Sequence, residues 1–421
     1  MRIQIVGAGI IGVCTAYYLR QDGHEVTVFD RRGDVAQETS FGNAGVIAPG
    51  YVTPWAAPGM PRKVLSYLFK AEAPVLFRPT PSPALWRWIR RWLDECTLER
   101  YRVNKSRMQR IAFYSRTQLH ALREALDIRY EQSQGYLQLF RNPIDVELAA
   151  PARALLEEQG IPFQTLDAAQ CRVLEPALSP ATPLAGGLHL PGDEAGNCPL
   201  FAQQLRRICE QQGVRFRFHC AVRRIAVEGG RARGVITEDG LQAADAVIVA
   251  AATDSAALLA PLGLKLPLYP VKGYSATVAL LPDGQGPARA LMDEAYKTAI
   301  TPFGARLRIA GTAELGDTSL RLRQAALRTL IKVASDWLPG AAQYSQASYW
   351  VGARPMLPDG PPLLGPSGVD RLFLNVGHGS TGWAMSCGSG KVVADVVAGR
   401  EPAISLEGLT IDRYAGPARA A

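Results

Sequence analysis

The sequence predicts an α/β fold with a Rossmann-like domain and a second domain carrying a mainly antiparallel sheet. Three observations support it. Residues 2–30 read as strand, glycine turn, helix and strand, a βαβ unit. Short apolar or alternating runs recur at 214–237, 246–252 and 267–312. Helical periodicity fills much of 62–130 and returns at 198–212, 319–337 and 384–398. With 421 residues the chain is long enough for two or three domains, each with its own core.

Taken in order, residues 2–6 are a short apolar run stopped by Gly7, as a buried strand would be. Ile11, Thr15, Tyr18 and Leu19 fall at helical spacing and predict a helix over 10–21. Residues 25–30 alternate and are rich in β-branched side chains, which predicts a second strand. A Pro- and Gly-rich loop covers about 43–61. The helical stretch 62–130 is broken by turn signals between Pro74 and Pro83. Residues 135–140 return to strand, and a helix over about 144–159 ends at Gly160-Ile161-Pro162. Asn197 is placed to cap a helix that carries Pro199 in its first turn. Alternation on either side of Gly229-Gly230 predicts a hairpin, and 246–252 a buried strand.

Composition narrows the function classes. The chain is 48% apolar and 20% charged, with a formal net charge of +8. That excess suits an anionic membrane or anionic small molecules. The absence of any block of like charge argues against nucleic acid. The seven cysteines are scattered and odd in number, with no C-x-x-C pair. Neither a disulfide framework nor a metal site is expected, and a reducing cytosol fits. The first nineteen residues have an Arg before an apolar run, but three glycines interrupt it and no small-x-small cleavage site follows. No run of apolar residues reaches the length of a membrane span. The expectation is a cytoplasmic protein, soluble or peripheral on a membrane.

Gly7-Ala8-Gly9-Ile10-Ile11-Gly12 is G-x-G-x-x-G between strand and helix. Gly7 permits the tight turn, Gly9 lets backbone approach a pyrophosphate, and Gly12 lets the helix pack on the strand. Asp30 follows Gly12 by eighteen positions at a strand end, where its carboxylate can accept from a ribose hydroxyl. This constellation predicts a dinucleotide but leaves NAD and FAD open. Further features favour the longer FAD. Thr39, Ser40, Asn43, Ala44 and Gly45 follow the second strand with hydroxyls, an amide and flexible backbone. Ala250 and Ala251 end a buried strand in small residues. Gly377, His378, Gly379, Ser380, Thr381 and Gly382 precede the last helix, whose N-terminus would favour an anionic reduced flavin.

The segments GAGIIG, ETSFGNAG, APGYVTPWAAPGMP, GYLQLF, YPVKGYS, YKTAIT, GARPMLPDG and LFLNVGHGSTGWAMSCGSG span positions 7 to 390. On these the chain resembles the bacterial D-amino-acid dehydrogenases, relatives of D-amino-acid oxidase, glycine oxidase and sarcosine oxidase. The resemblance implies non-covalent FAD and oxidative deamination of a small D-amino acid to a 2-oxo acid and ammonia. It also implies hydride transfer from the α-carbon to flavin N5 and electrons passed to a quinone or another non-oxygen acceptor. Arg31 and Val222 join the expected cofactor contacts. The FAD domain is expected at 1–80, 190–265 and 345–421, and the substrate domain at 81–189 and 266–344. Relatives often have a glycine where this chain has Ala251 or Ala252, which puts small crowding near the flavin.

Arg354 lies in Gly352-Ala353-Arg354-Pro355, and the resemblance assigns it the substrate carboxylate. A guanidinium suits that task because its fork binds a carboxylate at two points. The plainer alternative is a surface Arg paired with Asp359. Tyr274 and Tyr296 are candidates for the carboxylate or the side-chain pocket, against the alternative of core tyrosines. His378 is a candidate for catalysis or a flavin contact, against a structural hydrogen bond. The segments 84–93 and 62–70 mix Trp, Tyr, Leu and Phe with cations at helical spacing, so they suit either a membrane surface or an inward-packing helix. A flavin dehydrogenase of proline, hydroxyproline or sarcosine and an NAD-dependent dehydrogenase remain as alternatives.

Overall fold

The computed structural model describes residues 1–67 and 73–414. Strand β1 (Arg2–Val6), helix α1 (Ile10–Gln21) and strand β2 (Glu25–Phe29) form the expected opening unit. Four of the five β1 residues are buried, because β1 lies inside a six-stranded sheet. Across that sheet run Leu363–Pro366, Leu372–Val376, Ala246–Val249, β1, β2 and Arg215–Arg217. All pairs are parallel except the outermost, Leu363–Pro366 against Leu372–Val376. Strands from three distant parts of the chain therefore end together beside Gly7. Ligands of open α/β sheets bind at such ends.

Four helices bury one face of this sheet: α1, Leu98–Leu126, Cys198–Gln211 and Gly382–Val397. Glycines allow their close crossing. A Cβ at Gly390 would meet the backbone of Cys14 and Thr15, and one at Gly388 the backbone of Ser115. The other face packs on a three-stranded antiparallel sheet, Gly240–Ala243, Arg231–Thr237 and Arg224–Glu228. The hairpin read at Gly229-Gly230 is two of these strands.

The second sheet has ten strands among the described residues. Eight lie in one row: Ser348–Met356, Tyr269–Ala279, Arg306–Leu315, Thr298–Phe303, Ala290–Asp293, Ser133–Phe140, Gly186–Ala195 and Val46–Ile47. Only two pairings are parallel, Ala290–Asp293 with Ser133–Phe140 and Val75–Phe77 with Arg306–Leu315. The helix Gln324–Trp337 covers one face of this sheet through Leu327, Leu330, Val333 and Trp337.

Several readings need correction. The stretch 62–130 becomes Met60–Tyr67, Pro83–Asp94 and Leu98–Leu126, with Val75–Phe77 a strand between them. Residues 68–70 of the segment 62–70 lie outside the described residues. Leu98–Leu126 packs Met108, Ile111, Ala112 and Leu119 into the core of the parallel-sheet unit, so it does not belong with 81–189 in the second domain. Ser348–Met356 joins the antiparallel sheet, so the switch back to the first domain falls later than 345. Gly186–Ala195, unread in the sequence, is a strand of that same sheet and crosses the boundary drawn at 189–190. An apolar stripe shows that a face is buried without saying against which sheet.

In Pro83–Asp94 the tryptophans divide. Trp88 is buried, donates to the Met356 carbonyl at 3.0 Å and stacks on Trp92. Trp86 is 48% exposed beside the exposed Arg87 and Arg90. The helix is core on one side and a cationic aromatic surface on the other.

Candidate functional site

The site begins at the β1–α1 turn. Gly7 has φ +109°, and a Cβ there would meet the Ala250 carbonyl oxygen at 2.5 Å, so the turn requires glycine. Gly9 caps α1 with no side-chain bond, leaving the helix amides facing the sheet ends. The Ile10 N–H donates to Ser40 Oγ at 3.1 Å, which sets a hydroxyl at the helix N-terminus. Ile11 follows within the first turn. Asp30 accepts from the Ala8 N–H at 2.7 Å and from the Arg32 N–H at 2.8 Å. Those bonds fix its carboxylate at the end of β2 while each oxygen keeps a second acceptor direction. Asp30→Ala is expected to weaken cofactor retention by about 1–3 kcal/mol. Flavin content after extensive dialysis checks this, and full retention would contradict it. Arg31 at the rim is held by Glu38 and by Asp254 at 2.6 Å. Val222 and Ala251 pack against the apolar cluster behind β1 and β2.

The loop 38–45 is held by the antiparallel sheet. Thr39 Oγ1 donates to the Ala353 carbonyl at 2.8 Å. Asn43 Oδ1 accepts from the Gly45 N–H at 2.6 Å, closing a tight turn around Ala44. Arg308, unread in the sequence, donates to the carbonyls of Phe41 at 2.8 Å and Asn43 at 3.0 Å. It is buried without an acidic partner among the described residues, and burial lowers its pKa to about 10. Trp350, also unread, lies flat where side chains on Gly42 and Gly352 would stand.

At the other end of the site, the 377–382 loop leads into Gly382–Val397. Gly377 and Gly379 have φ +82° and +57°. Thr381 caps the helix without a side-chain bond, and its buried Oγ1 has no hydrogen-bond partner among the described residues. Ser380 Oγ accepts from Trp55 Nε1 at 3.2 Å. The His378 ring turns inward, with Nε2 3.0 Å from Ser389 Oγ. Burial holds its pKa down to about 3, so it is neutral and faces away from the open loop. The catalytic reading of His378 is therefore corrected to a structural hydrogen bond.

Arg354 lies in the strand Ser348–Met356 with its guanidinium flat over Gly273. Nη1 donates to the Lys272 carbonyl at 2.8 Å, and Nη2 lies 3.5 Å from the Gly311 carbonyl. The Trp55 ring, which also reaches Ser380, stands 6.0 Å from it. Asp359 pairs with Arg413 instead, at 2.8 Å, so the surface-pair alternative for Arg354 fails. Arg354 has no acidic partner among the described residues. Burial lowers its pKa to about 10, which leaves it charged at neutral pH.

Tyr274 and Tyr296 are corrected. Tyr274 is one residue from Gly273 in the same strand, so it points through the sheet into the core beneath Gln324–Trp337 and donates to Glu314. Tyr296 packs on that same side, with Arg141 5.0 Å and Lys332 5.2 Å from its ring. Neither phenol reaches Arg354.

Ala252, immediately after the small strand end, has φ +46°. An L-residue is strained there where glycine would not be. Ala252→Gly is expected to raise stability by about 1 kcal/mol and not to reduce flavin retention. Thermal melting checks it, and a lower melting temperature would contradict the strain.

Residues 2–396 match the family described as DAO, FAD dependent oxidoreductase. A D-amino acid dehydrogenase of Bradyrhizobium diazoefficiens is 46% identical over 417 residues, covering 99% of each chain. One of Rhizorhabdus wittichii is 48% identical over 416 residues, covering 98% of this chain and 100% of that one. Among solved structures, glycine oxidase from Geobacillus kaustophilus is similar with TM-score 0.76 at 24% identity, covering 99% of this chain and 100% of that one. L-proline dehydrogenase from P.horikoshii has TM-score 0.73 at 16% identity, covering 98% and 97%. The residues described above suit FAD. The α1 N-terminus and Ser40 would meet a pyrophosphate, Asp30 a ribose, and the Thr381 hydroxyl with its helix N-terminus the polar edge of a flavin.

Proposed function

Because the chain belongs to the FAD dependent oxidoreductase family, we propose that it uses its FAD to oxidise small D-amino acids to 2-oxo acids and ammonia, passing electrons to an acceptor other than oxygen. The observation that carries the reading is Arg354, a partly buried guanidinium whose only polar partners among the described residues are backbone carbonyls. Full-length relatives named D-amino acid dehydrogenase support the substrate class. The NAD-dependent alternative gives way to the family match.

FAD, when bound, supplies a two-electron acceptor for the hydride of the α-carbon. The chain supplies placement. Arg354 holds the carboxylate and so anchors the α-carbon. Gly273 and Gly352 leave the sheet surface around Arg354 without side chains of their own, and Trp55 and Trp350 wall it. The amine reacts in its neutral form, and His378 takes no proton from it. The imine product is hydrolysed by water. A dye-linked assay with a panel of D- and L-amino acids, proline, hydroxyproline and sarcosine tests the proposal. Turnover of D-amino acids with one ammonia per dye reduced supports it, and turnover confined to the cyclic or N-methyl compounds would overturn it.

We also propose that a quinone at the inner face of the cytoplasmic membrane takes the electrons. The net charge of +8 and the exposed Trp86, Arg87, Arg90, Arg91 and Leu93 suit an anionic surface. No helix of the described residues is long and apolar enough to cross a membrane. Flotation with anionic vesicles should fall in high salt and in a Trp86→Ala, Arg87→Gln, Arg90→Gln variant that keeps its dye-linked activity. Wild-type protein that never floats and never reduces a quinone analogue would refute this.

A further inference from the structure

The cradle of Arg354 is built at an irregularity. The pairing of Tyr269–Ala279 with Arg306–Leu315 shifts register between Gly273 and Tyr274, leaving Thr312 as the extra residue. Thr312 has φ +43°, an outlier for a β-branched residue, and its buried Oγ1 has no hydrogen-bond partner among the described residues. The two carbonyls that face the Arg354 guanidinium, those of Lys272 and Gly311, flank this bulge. Its geometry therefore sets where the guanidinium sits.

Behind the bulge, on the face away from Arg354, lie charges that the chemistry above does not use. Lys272 and Glu314 are 0% exposed and paired at 3.0 Å. Lys272 also reaches Asp317 at 3.1 Å, Tyr274 donates to Glu314, and Arg78 closes on Glu314 at 3.1 Å. Two of these residues belong to one strand of the bulge and Glu314 to the other. Burying such a pair costs desolvation that an apolar pair would avoid. What the pair gains over an apolar one is direction, a fixed register between the two strands.

We propose that Lys272, Glu314 and Tyr274 form a positioning network for Arg354. They clamp the bulge from behind, aim the Lys272 and Gly311 carbonyls at the guanidinium, and thereby set its grip on the substrate carboxylate. This rests on Arg354 being the carboxylate clamp. A cluster that only stabilised the sheet would lower the melting temperature and leave carboxylate affinity alone.

The test uses the holoenzyme and pyruvate as a carboxylate probe, titrated through the flavin spectrum, together with steady-state kinetics. Tyr274→Phe removes one hydroxyl and keeps the volume. It should weaken pyruvate and raise KM about tenfold while kcat stays within about twofold. Glu314→Gln should act in the same direction, and if that variant fails to fold, Tyr274→Phe still decides. In an Arg354→Lys background, Tyr274→Phe should change pyruvate binding no further. Equal weakening in both backgrounds, or a loss confined to melting temperature, overturns the proposal. Wild-type protein that binds pyruvate but oxidises no D-amino acid would refute the substrate assignment and leave this test standing. Wild-type protein that binds no pyruvate overturns both.

Discussion

Arg354→Lys is expected to lower kcat/KM for D-amino acids by about two orders of magnitude while flavin content stays at the wild-type level. Lysine keeps the charge and loses the fork. The guanidinium already spends one edge on the Lys272 and Gly311 carbonyls, which leaves its remaining N–H groups preset for an incoming carboxylate. An ammonium has no such division of donors, and its flexible stem must be ordered on each binding event. Losing one charged bidentate contact in a buried site costs about 2–5 kcal/mol. The effect should fall mainly on substrate capture, and the wild-type enzyme should likewise be poor with an amino-acid amide. Steady-state kinetics with the flavin-to-protein ratio measured alongside check this. Unaltered kinetics in the variant would remove Arg354 from the site.

Gly12→Ala should yield protein with little or no flavin. A Cβ at Gly12 would stand well inside contact distance of the Gly7 carbonyl oxygen, which is backbone and has nowhere to move. Helix α1 must then lift from β1, carrying the Ile10 amide away from Ser40. Overpacking of this kind costs about 1–3 kcal/mol by itself, and here it also dismantles the pyrophosphate turn. Gly340→Ala is the control, because a Cβ there meets nothing within 4 Å and its backbone is not in the left-handed region. The control should keep wild-type flavin and melting temperature. A Gly12→Ala protein with full flavin content would show that the turn does not hold the cofactor.

Which parts of this site were legible in the sequence follows from their physics. The turn Gly7 to Gly12, helix α1 and Asp30 are local and carry their own stop and start signals, so spacing alone located them. The same holds for Asn197, whose side chain does cap Cys198–Gln211. Tyr274 was misplaced because alternation gives two faces and not which one meets the ligand, and the bulge at Thr312 alters the register beside it. His378 sits in the right loop, but the direction of its ring depends on Ser389, about two turns into the following helix. Arg308 was missed because its contacts to the cofactor loop go to carbonyls of Phe41 and Asn43, and a backbone acceptor leaves no mark in the sequence. Gly186–Ala195 was missed because Pro191 and Gly192 interrupt its strand pattern.

The central claim is that bound FAD is reduced by D-amino acids gripped through Arg354. Anaerobic mixing of the purified holoenzyme with D-alanine, and separately with L-alanine, L-proline and sarcosine, tests it most directly. The account predicts that D-alanine bleaches the flavin band and leaves pyruvate and ammonia in equal amounts, and that Arg354→Lys bleaches far more slowly with the same ligand. Bleaching by L-alanine, L-proline or sarcosine with none by D-alanine, or D-alanine bleaching unchanged in Arg354→Lys, would contradict it.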